Sequence, residues 1–497
     1  MEIKNSAGRI IKKTIGDRTF RSYLGAKKYN SISKVTSLDD ALKRCDLKNG
    51  DTVSFHHQLR NGDGIVNITL DNISQLDVKD IRLAQTALFN VHEPVIEHIK
   101  EGVVNRIEGS INGLVGDYVS KNPLKHPVIL RSHGGRWSAV KSGELPVDIA
   151  VIAAAASDEK GNCTGIIGKS AFGPLVYPQI DALMAKKVII VTDNIVDYPC
   201  KFQEITENYV DFVVEVESIG DTARIISGST KITEDSMKLG IAHNCIDLMD
   251  AVGIIKNGMN FQSGAGGISL AVTKFLGDAL EDNNIVANLG MGGMTKYMTD
   301  IYEKGRIKTL LFGQCFDSES ASYISKYPDI PILNVGLYAD PFAPSRAVDS
   351  LDVVTLGATE FDTSFNVNVN THSDGRLLHG IGGHQDTAAG AGLTIITAPL
   401  YRKNNPIVRE KVTTVTTPGD VVDAIVTNEG IAINPRRKDI IKKLDGKIDI
   451  VTIEELKNKA YEATDEPSEL EFEDDIVAVI QWFDGTVLDT VRKVKEL

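Results

Sequence analysis

Short apolar blocks recur along the chain, and several carry little polar alternation: 128–131 (VILR), 147–155 (VDIAVIAAA), 187–192 (KVIIVT) and 210–216 (VDFVVEV). Strands covered on both faces read this way, as in a parallel sheet flanked by helices. A shorter block, Thr52-Val53-Ser54-Phe55, runs into the polar segment His56 to Gly64 and predicts a strand that ends in a loop. Pro94 to Ile107 sets apolar and charged residues at helical spacing and predicts a helix. Strands alternating with helices predict an α/β chain.

The pattern restarts near residue 230. A helix is expected over 235–256, followed by strand-like blocks at 308–312, 330–335, 351–356 and 393–397, while 420–426 (DVVDAIV) reads as helical. An acidic stretch from Thr464 to Asp475 reads as a linker, and 476–483 with 487–494 predict a small β element around Asp484-Gly485. The expected organisation is an N-terminal arm over 1–45, α/β domains over 46–230 and 231–460, and a linker with a C-terminal β element over 461–497.

At 497 residues, two or three domains with their own cores are affordable, and 43 glycines against 16 prolines suit many tight strand-to-helix turns. The formal charge of −13, from 67 acidic and 54 basic residues, and the lack of a basic stripe interleaved with aromatics argue against nucleic acid as partner. No apolar run reaches about 18 residues, and Met1 to Asn5 lead into a polar segment without a signal-peptide stretch, so no membrane role is expected. Cys45, Cys163, Cys200, Cys245 and Cys315 are far apart, with no C-x-x-C pair. They predict reduced thiols and a cytoplasmic location.

Three G-x-G-G segments begin at Gly264, Gly290 and Gly380. Glycine there lets backbone N–H groups approach a ligand oxygen, although a tight turn after a strand would use it equally well. A dinucleotide fingerprint would need a third glycine where Ser269, Thr295 and Gln385 stand. Gly165 to Ser170 ends like a P-loop, but Cys163 occupies the place of its first glycine, so Lys169 is read as structural or substrate-facing.

The densest polar stretch runs from Glu360 through Asp362, Asn366, Asn368, Asn370, His372 and Asp374 to Arg376, followed closely by Gly380 to Thr387. Alternate amides and carboxylates on one strand face line either a cleft or a hairpin held by Asx turns. A carboxylate facing a nest of N–H groups has the ingredients of acyl transfer. His56, His57 and Arg60 supply cationic and hydrogen-bonding groups suited to a polycarboxylate, unless they stand on an exposed loop. His379, His384 and Asp386 flank a glycine loop rather than share a helix face, and no metal site is expected.

These residues resemble a known family. Gly135 to Asn162, the Gly380 loop, and Thr417-Pro418-Gly419 to Gly430 are similar to the two halves of coenzyme A transferases. Ser54 to His57, Arg60 to Asp63, Ser263 to Gly267, Phe361-Asp362-Thr363, Asn366-Val367-Asn368 and Gly382 to Thr387 more closely resemble the citrate lyase alpha subunit family, from about residue 8 onward. The resemblance implies two similar open α/β domains of the coenzyme A transferase, sugar-isomerase-like type, with a site between them. It implies citrate CoA-transferase activity, exchanging acetate for citrate on the thioester of an acyl carrier protein. The implied partners are citrate, acetate, a beta chain and a gamma carrier chain, with a homo-oligomer expected. No cofactor is expected on the chain itself, the phosphoribosyl-dephospho-coenzyme A arm belonging to the gamma chain. By the same resemblance Glu360 becomes the candidate nucleophile or carboxylate positioner. His56, His57, Arg60, Asn366 and His384 become citrate-holding candidates, and Gly266, Gly267, Gly382 and Gly383 candidate thioester-polarising positions. A general transferase or hydrolase using free coenzyme A, and a non-catalytic citrate sensor, are the alternatives.

Overall fold

A computed structural model describes residues 3–4, 10–11, 32–226, 231–264 and 266–495. Most of the expected arm therefore lies outside the described residues, as do 227–230 at the expected domain boundary.

The first sheet has seven strands, all pairing in parallel. Val35–Thr36, Phe212–Glu215, Lys187–Thr192, Ile149–Ala154, Thr52–Phe55, Ile81–Gln85 and Val104–Ile107 lie side by side in that order. The block at Ile149–Ala154 is buried at every position, as its unbroken apolar sequence requires of a central strand. The segment expected as an arm contributes an edge strand here, followed by the helix Leu38–Arg44, which Ser37 caps through its side chain.

The second sheet also has seven strands, ordered Ile307–Cys315, Ala287–Met294, Asn260–Ser263, Val353–Gly357, Thr394–Thr397, Ala424–Val426 and Ile431–Ile433. Only the last pair is antiparallel. Long helices Ser236–Ala251 and Gly267–Asp282 pack against it. Thr52–Phe55 in the first sheet and Asn260–Ser263 in the second stand beside the point where the strand order reverses. Ligands of open α/β sheets bind outside the carboxyl ends of strands at such a point.

Four expectations fail for identifiable reasons. Pro94 to Ile107 splits into the helix Val95–Lys100 and the strand Val104–Ile107, because Gly102, at φ +75°, turns the chain between them. Residues 330–335 form no strand but lead into the helix Val335–Ala339, whose N-cap is Asn334. The stretch 420–426 ends as the buried strand Ala424–Val426, its apolar run filling a sheet position. Val128–Leu130 leaves the first sheet and pairs in parallel with Phe472–Gln481, which forms a hairpin with Val487–Val494. The C-terminal β element is thus docked on the first half, with Val477, Ile480 and Val491 buried in that half's core.

All five cysteines are buried free thiols. Among the described residues no helix is long and apolar enough to cross a membrane.

Candidate active site

The carboxyl edges of the two sheets face a common cleft of about 850 Å³. From the first half it is lined by His57 and Arg60, which follow the strand Thr52–Phe55, and by Phe89, His133 and Tyr177; from the second it takes the backbone of all three G-x-G-G segments, at Gly264, Gly292-Gly293 and Gly380 to Gly383. A cleft of this size, built at two sheet switch points, suits a small polar substrate together with part of a larger one.

Arg60 is the one Lys or Arg among the described lining residues, and Asp117 the one Asp or Glu. Asp117 is already paired with Arg376 at 2.7 Å. A protein of net charge −13 therefore opens a cleft whose local balance favours anions. Arg60 sits in a left-handed backbone conformation, φ +54°, unusual for a residue with a side chain. Its guanidinium carbon lies 5.2 Å from the ring centre of Phe89 and 5.1 Å from that of Phe316, and burial lowers its pKa.

The histidines nearby are held neutral. Burial, reinforced by Arg136, brings His133 down to about 4. Burial, with His372 and Arg60 adding repulsion, brings His379 to the same value. His57 falls well below its usual range, first through burial and then through His133 and Arg60. They are consequently hydrogen-bonding groups rather than cations at neutral pH. His133 Nε2 lies 3.1 Å from the Tyr177 hydroxyl, which donates to Gln314 Oε1 at 3.2 Å; Gln314 Nε2 donates to the His57 carbonyl at 3.2 Å. Gln314 belongs to the second half, so this chain of bonds crosses the cleft.

A second crossing fixes the glycine loop at 380–383. The backbone N–H of His133 donates to Gly382 O at 3.0 Å. The buried Asp386 carboxylate accepts from Ser132 Oγ at 2.7 Å and from the Gly134 N–H at 3.2 Å. A Cβ on Gly134 would stand 2.8 Å from that carboxylate and 2.0 Å from the Ala339 carbonyl, so the approach requires glycine. Gly382 itself has φ +62°.

Comparison with known proteins bears on what this cleft is for. The sequence profile described as citrate lyase, alpha subunit, matches residues 32–494. The citrate lyase alpha chain of Klebsiella pneumoniae is 43% identical over 461 residues, 92% of this chain and 91% of that protein. The chain belongs to the citrate lyase alpha subunit family. A Streptococcus mutans structure described as an alpha subunit of citrate lyase in complex with citrate superposes with a TM-score of 0.92 at 39% identity, covering 98% of this chain and 97% of that one. A 4-hydroxybutyrate CoA-transferase from Porphyromonas gingivalis shares the fold at a TM-score of 0.56 and 18% identity, covering 86% and 98%. The architecture is therefore the two-domain coenzyme A transferase type expected from sequence.

Within this citrate lyase alpha-family cleft, the expected site residues separate into those that meet and those that do not. His57, Arg60, Gly382, Gly383 and His384 line it; Glu360, His56, Gly266, Gly267 and Asn366 do not. Glu360 is fully buried on the strand Glu360–Asp362, with Arg409 Nη2 3.3 Å from Oε1. Its Oε2 accepts from Asn368 Nδ2 and from the Thr413 N–H, both at 3.0 Å. The structure thus places Glu360 outside the cleft lining, beside Arg409, and gives no support to a nucleophile or carboxylate positioner acting in the cleft. Asn366 is likewise spent on a turn: its Nδ2 donates to Asp362 at 3.2 Å, and its Oδ1 accepts from the Gly419 N–H at 2.9 Å. His56 points away, its Nε2 3.0 Å from the Ala153 carbonyl and its Nδ1 engaged with Gln58. Gly266 and Gly267 start the helix Gly267–Asp282, so this loop reaches the cleft through Gln262, Ser263 and Gly264 instead.

His384 touches the cleft with both nitrogens already taken. Nε2 meets the Gly357 carbonyl at 3.0 Å and must carry the proton, while Nδ1 accepts from Thr417 Oγ1 at 2.8 Å. His384 and Asp386 therefore face different partners, and among the described residues no three His, Cys, Asp or Glu gather as a metal-holding group. Lys169 donates to the Glu217 carbonyl at 3.1 Å, outside the cleft lining.

The sequence reading passed over His133, Tyr177, Gln314 and Phe316. His133 stood beside the quoted Gly135-Arg136 motif and opens the helix His133–Ser142, which is a local signal. The others lie in ordinary apolar or mixed surroundings, and only the packing of the two halves brings them to one place.

Proposed function

We propose that this chain exchanges acetate for citrate on the thioester of an acyl carrier protein, as the citrate CoA-transferase of a citrate lyase. The supporting observation is the cleft itself: a single cation, Arg60, and neutral donors face glycine backbone from the other half, with no glutamate among the described lining residues.

That inventory favours direct transfer. A citrate carboxylate oxygen attacks the acetyl carbonyl carbon, the C–S bond breaks, and a mixed anhydride and a thiolate result. The thiolate then attacks the citryl carbonyl, acetate leaves, and citryl thioester remains. Atoms balance without a protein nucleophile. Arg60 would hold a citrate carboxylate through paired N–H groups. N–H groups of the Gly380–Gly383 loop would stabilise the oxyanion, where one donor is worth roughly 3 kcal/mol. Alignment and removal of water would supply most of the rest. In this reading the arm is a substrate brought by a gamma carrier chain. A beta chain cleaves the citryl thioester to oxaloacetate and acetyl thioester, and the cleft repeats in each copy of a cytoplasmic multi-subunit assembly.

Incubating the chain with acetylated carrier protein and isotopically labelled citrate should give citryl carrier protein by mass spectrometry, with acetate released in equal amount. Absence of citryl carrier would overturn the proposal, and equal turnover with free acetyl-coenzyme A would favour the general transferase.

A further inference from the structure

The second G-x-G-G segment reads from sequence either as a cradle for a ligand oxygen or as a tight turn after a strand. It forms the end of the strand Ala287–Met294, and side chains lie close against Gly292 and Gly293 where they border the cleft. A Cβ on Gly293 would stand 1.9 Å from the ring of Phe316, and one on Gly292 would stand 2.6 Å from the Gln262 side chain. The ring of Phe316 therefore lies directly on bare backbone, in a position that any other residue at 293 would deny it.

From that position Phe316 meets Arg60 across the cleft. Arg60 is held from its own side as well. Gly62 leaves room for no Cβ because the Asp221 carbonyl would be 1.9 Å away. Asp63, in the same loop, accepts from the Val66 N–H at 3.1 Å and lies 3.0 Å from His92 Nε2, while His92 Nδ1 accepts from the Phe89 N–H at 2.9 Å. One short network thus fixes both the loop that carries Arg60 and the first ring over its guanidinium. A left-handed non-glycine backbone persists only where surroundings impose it.

We propose that Phe316, seated on Gly293, is a positioning residue that fixes the plane of the Arg60 guanidinium, so that the citrate anchor is complete only when the second half lies against the first. The inference rests on the reading of Arg60 as the citrate anchor. A planar guanidinium grips a planar carboxylate only in a fixed orientation, and two rings whose centres lie 5.2 and 5.1 Å from its carbon restrict that orientation. The G-x-G-G sequence at 290–293 is then a seat for an aromatic ring.

A double-mutant cycle on the full-length chain tests this, with citrate affinity measured by titration calorimetry for Arg60→Ala, Phe316→Leu and the double variant. Arg60→Ala should weaken citrate binding about 30-fold, in line with loss of charge-assisted hydrogen bonds. Phe316→Leu should weaken it about fivefold. In the Arg60→Ala background Phe316→Leu should add less than twofold. With the complete exchange reaction, Phe316→Leu should raise the citrate KM and leave kcat at saturating citrate within about twofold. If Phe316→Leu weakens binding equally in both backgrounds, or not at all, the inference is wrong while the anchor stands. If Arg60→Ala leaves citrate affinity unchanged, the anchor itself falls. Should Phe316→Leu fail to fold by thermal unfolding, Phe89→Leu in the same cycle must show the same non-additivity, and additivity there overturns the coupled-ring account.

Discussion

Two polar constellations in this molecule carry similar residue types and behave oppositely in space. The stretch from Glu360 to Arg376 is dense in carboxylates and amides; the set around Arg60, His133 and Gly382 is scattered over distant parts of the chain. The dense one is closed on itself from Glu360 to Asn370, and only its His372 reaches the cleft. Glu360 is occupied by Arg409, Asn368 and Thr413, and Asp362 accepts from the N–H groups of Ser364, Asn366 and Val412. The scattered one leaves the edge of the cleft lined by a desolvated cation, neutral imidazoles and bare backbone. The lesson is physical: a buried polar group with all its partners inside the protein holds the fold, and a site needs groups whose partners lie in the substrate.

The strongest way to break this comparison is Glu360→Ala. It removes one member of a buried ion pair and leaves Arg409 without its carboxylate, so stability measured by denaturant unfolding should fall by roughly 3–5 kcal/mol. Exchange activity per folded molecule should stay within about twofold. A variant that folds normally but cannot form citryl carrier would return Glu360 to the reaction and erase the distinction.

Asp386 sharpens the comparison from the other side, because it belongs to the motif that contacts the cleft while bonding across the two halves. Asp386→Ala leaves Ser132 Oγ and the Gly134 N–H buried without their acceptor, a cost of about 2 kcal/mol. Asp386→Asn should recover most of it, since an amide oxygen can accept from Gly134 while its NH2 donates to Ser132. Thermal unfolding of both variants checks the stability difference. A rise in the citrate KM in the alanine variant alone would tie the joint to His133 and the Gly382 loop.

The layered fold was legible because its cause is local. Apolar runs such as 149–154 and 187–192 have to be buried on both faces, and the two halves each supply such runs at βα spacing. The failures share a different cause. Val128–Leu130 reads like its neighbours, yet its partner is a strand nearly 350 residues further on, a pairing that no local pattern encodes. At the cleft, His57, Arg60 and Gly382-Gly383 could be singled out from sequence because each follows a strand or sits in a glycine turn, and all four line it. For Glu360, spacing reveals which residues share a strand but not that Arg409 lies opposite, outside the cleft lining. Phe316 and Tyr177 went unnoticed because an aromatic residue becomes a site residue only through what the other half brings to it.

His384 stands on the border between the two constellations and gives the smallest and finest test. It lines the cleft, but burial brings its pKa to about 4, and its ring is fixed by Thr417 and Gly357. The unfolded chain takes up this proton near pH 6.5, the folded one only near 4, so the unfolded state holds more protons between those values. The stability this residue contributes is complete above pH 6.5 and is lost as the pH falls toward 4, by about 1 kcal/mol at pH 5.5. His133 and His379 act in the same direction. Asp386 and Glu204, both pushed up to about 7 by burial, act in the opposite one. The measurement is therefore a difference: His384→Gln, whose amide can make the same two bonds, should lose about 1 kcal/mol less than the parent between pH 7 and 5.5. Equal losses would mean that His384 is protonated in the folded protein and free to meet citrate as a cation, which would move it from the closed constellation into the open one.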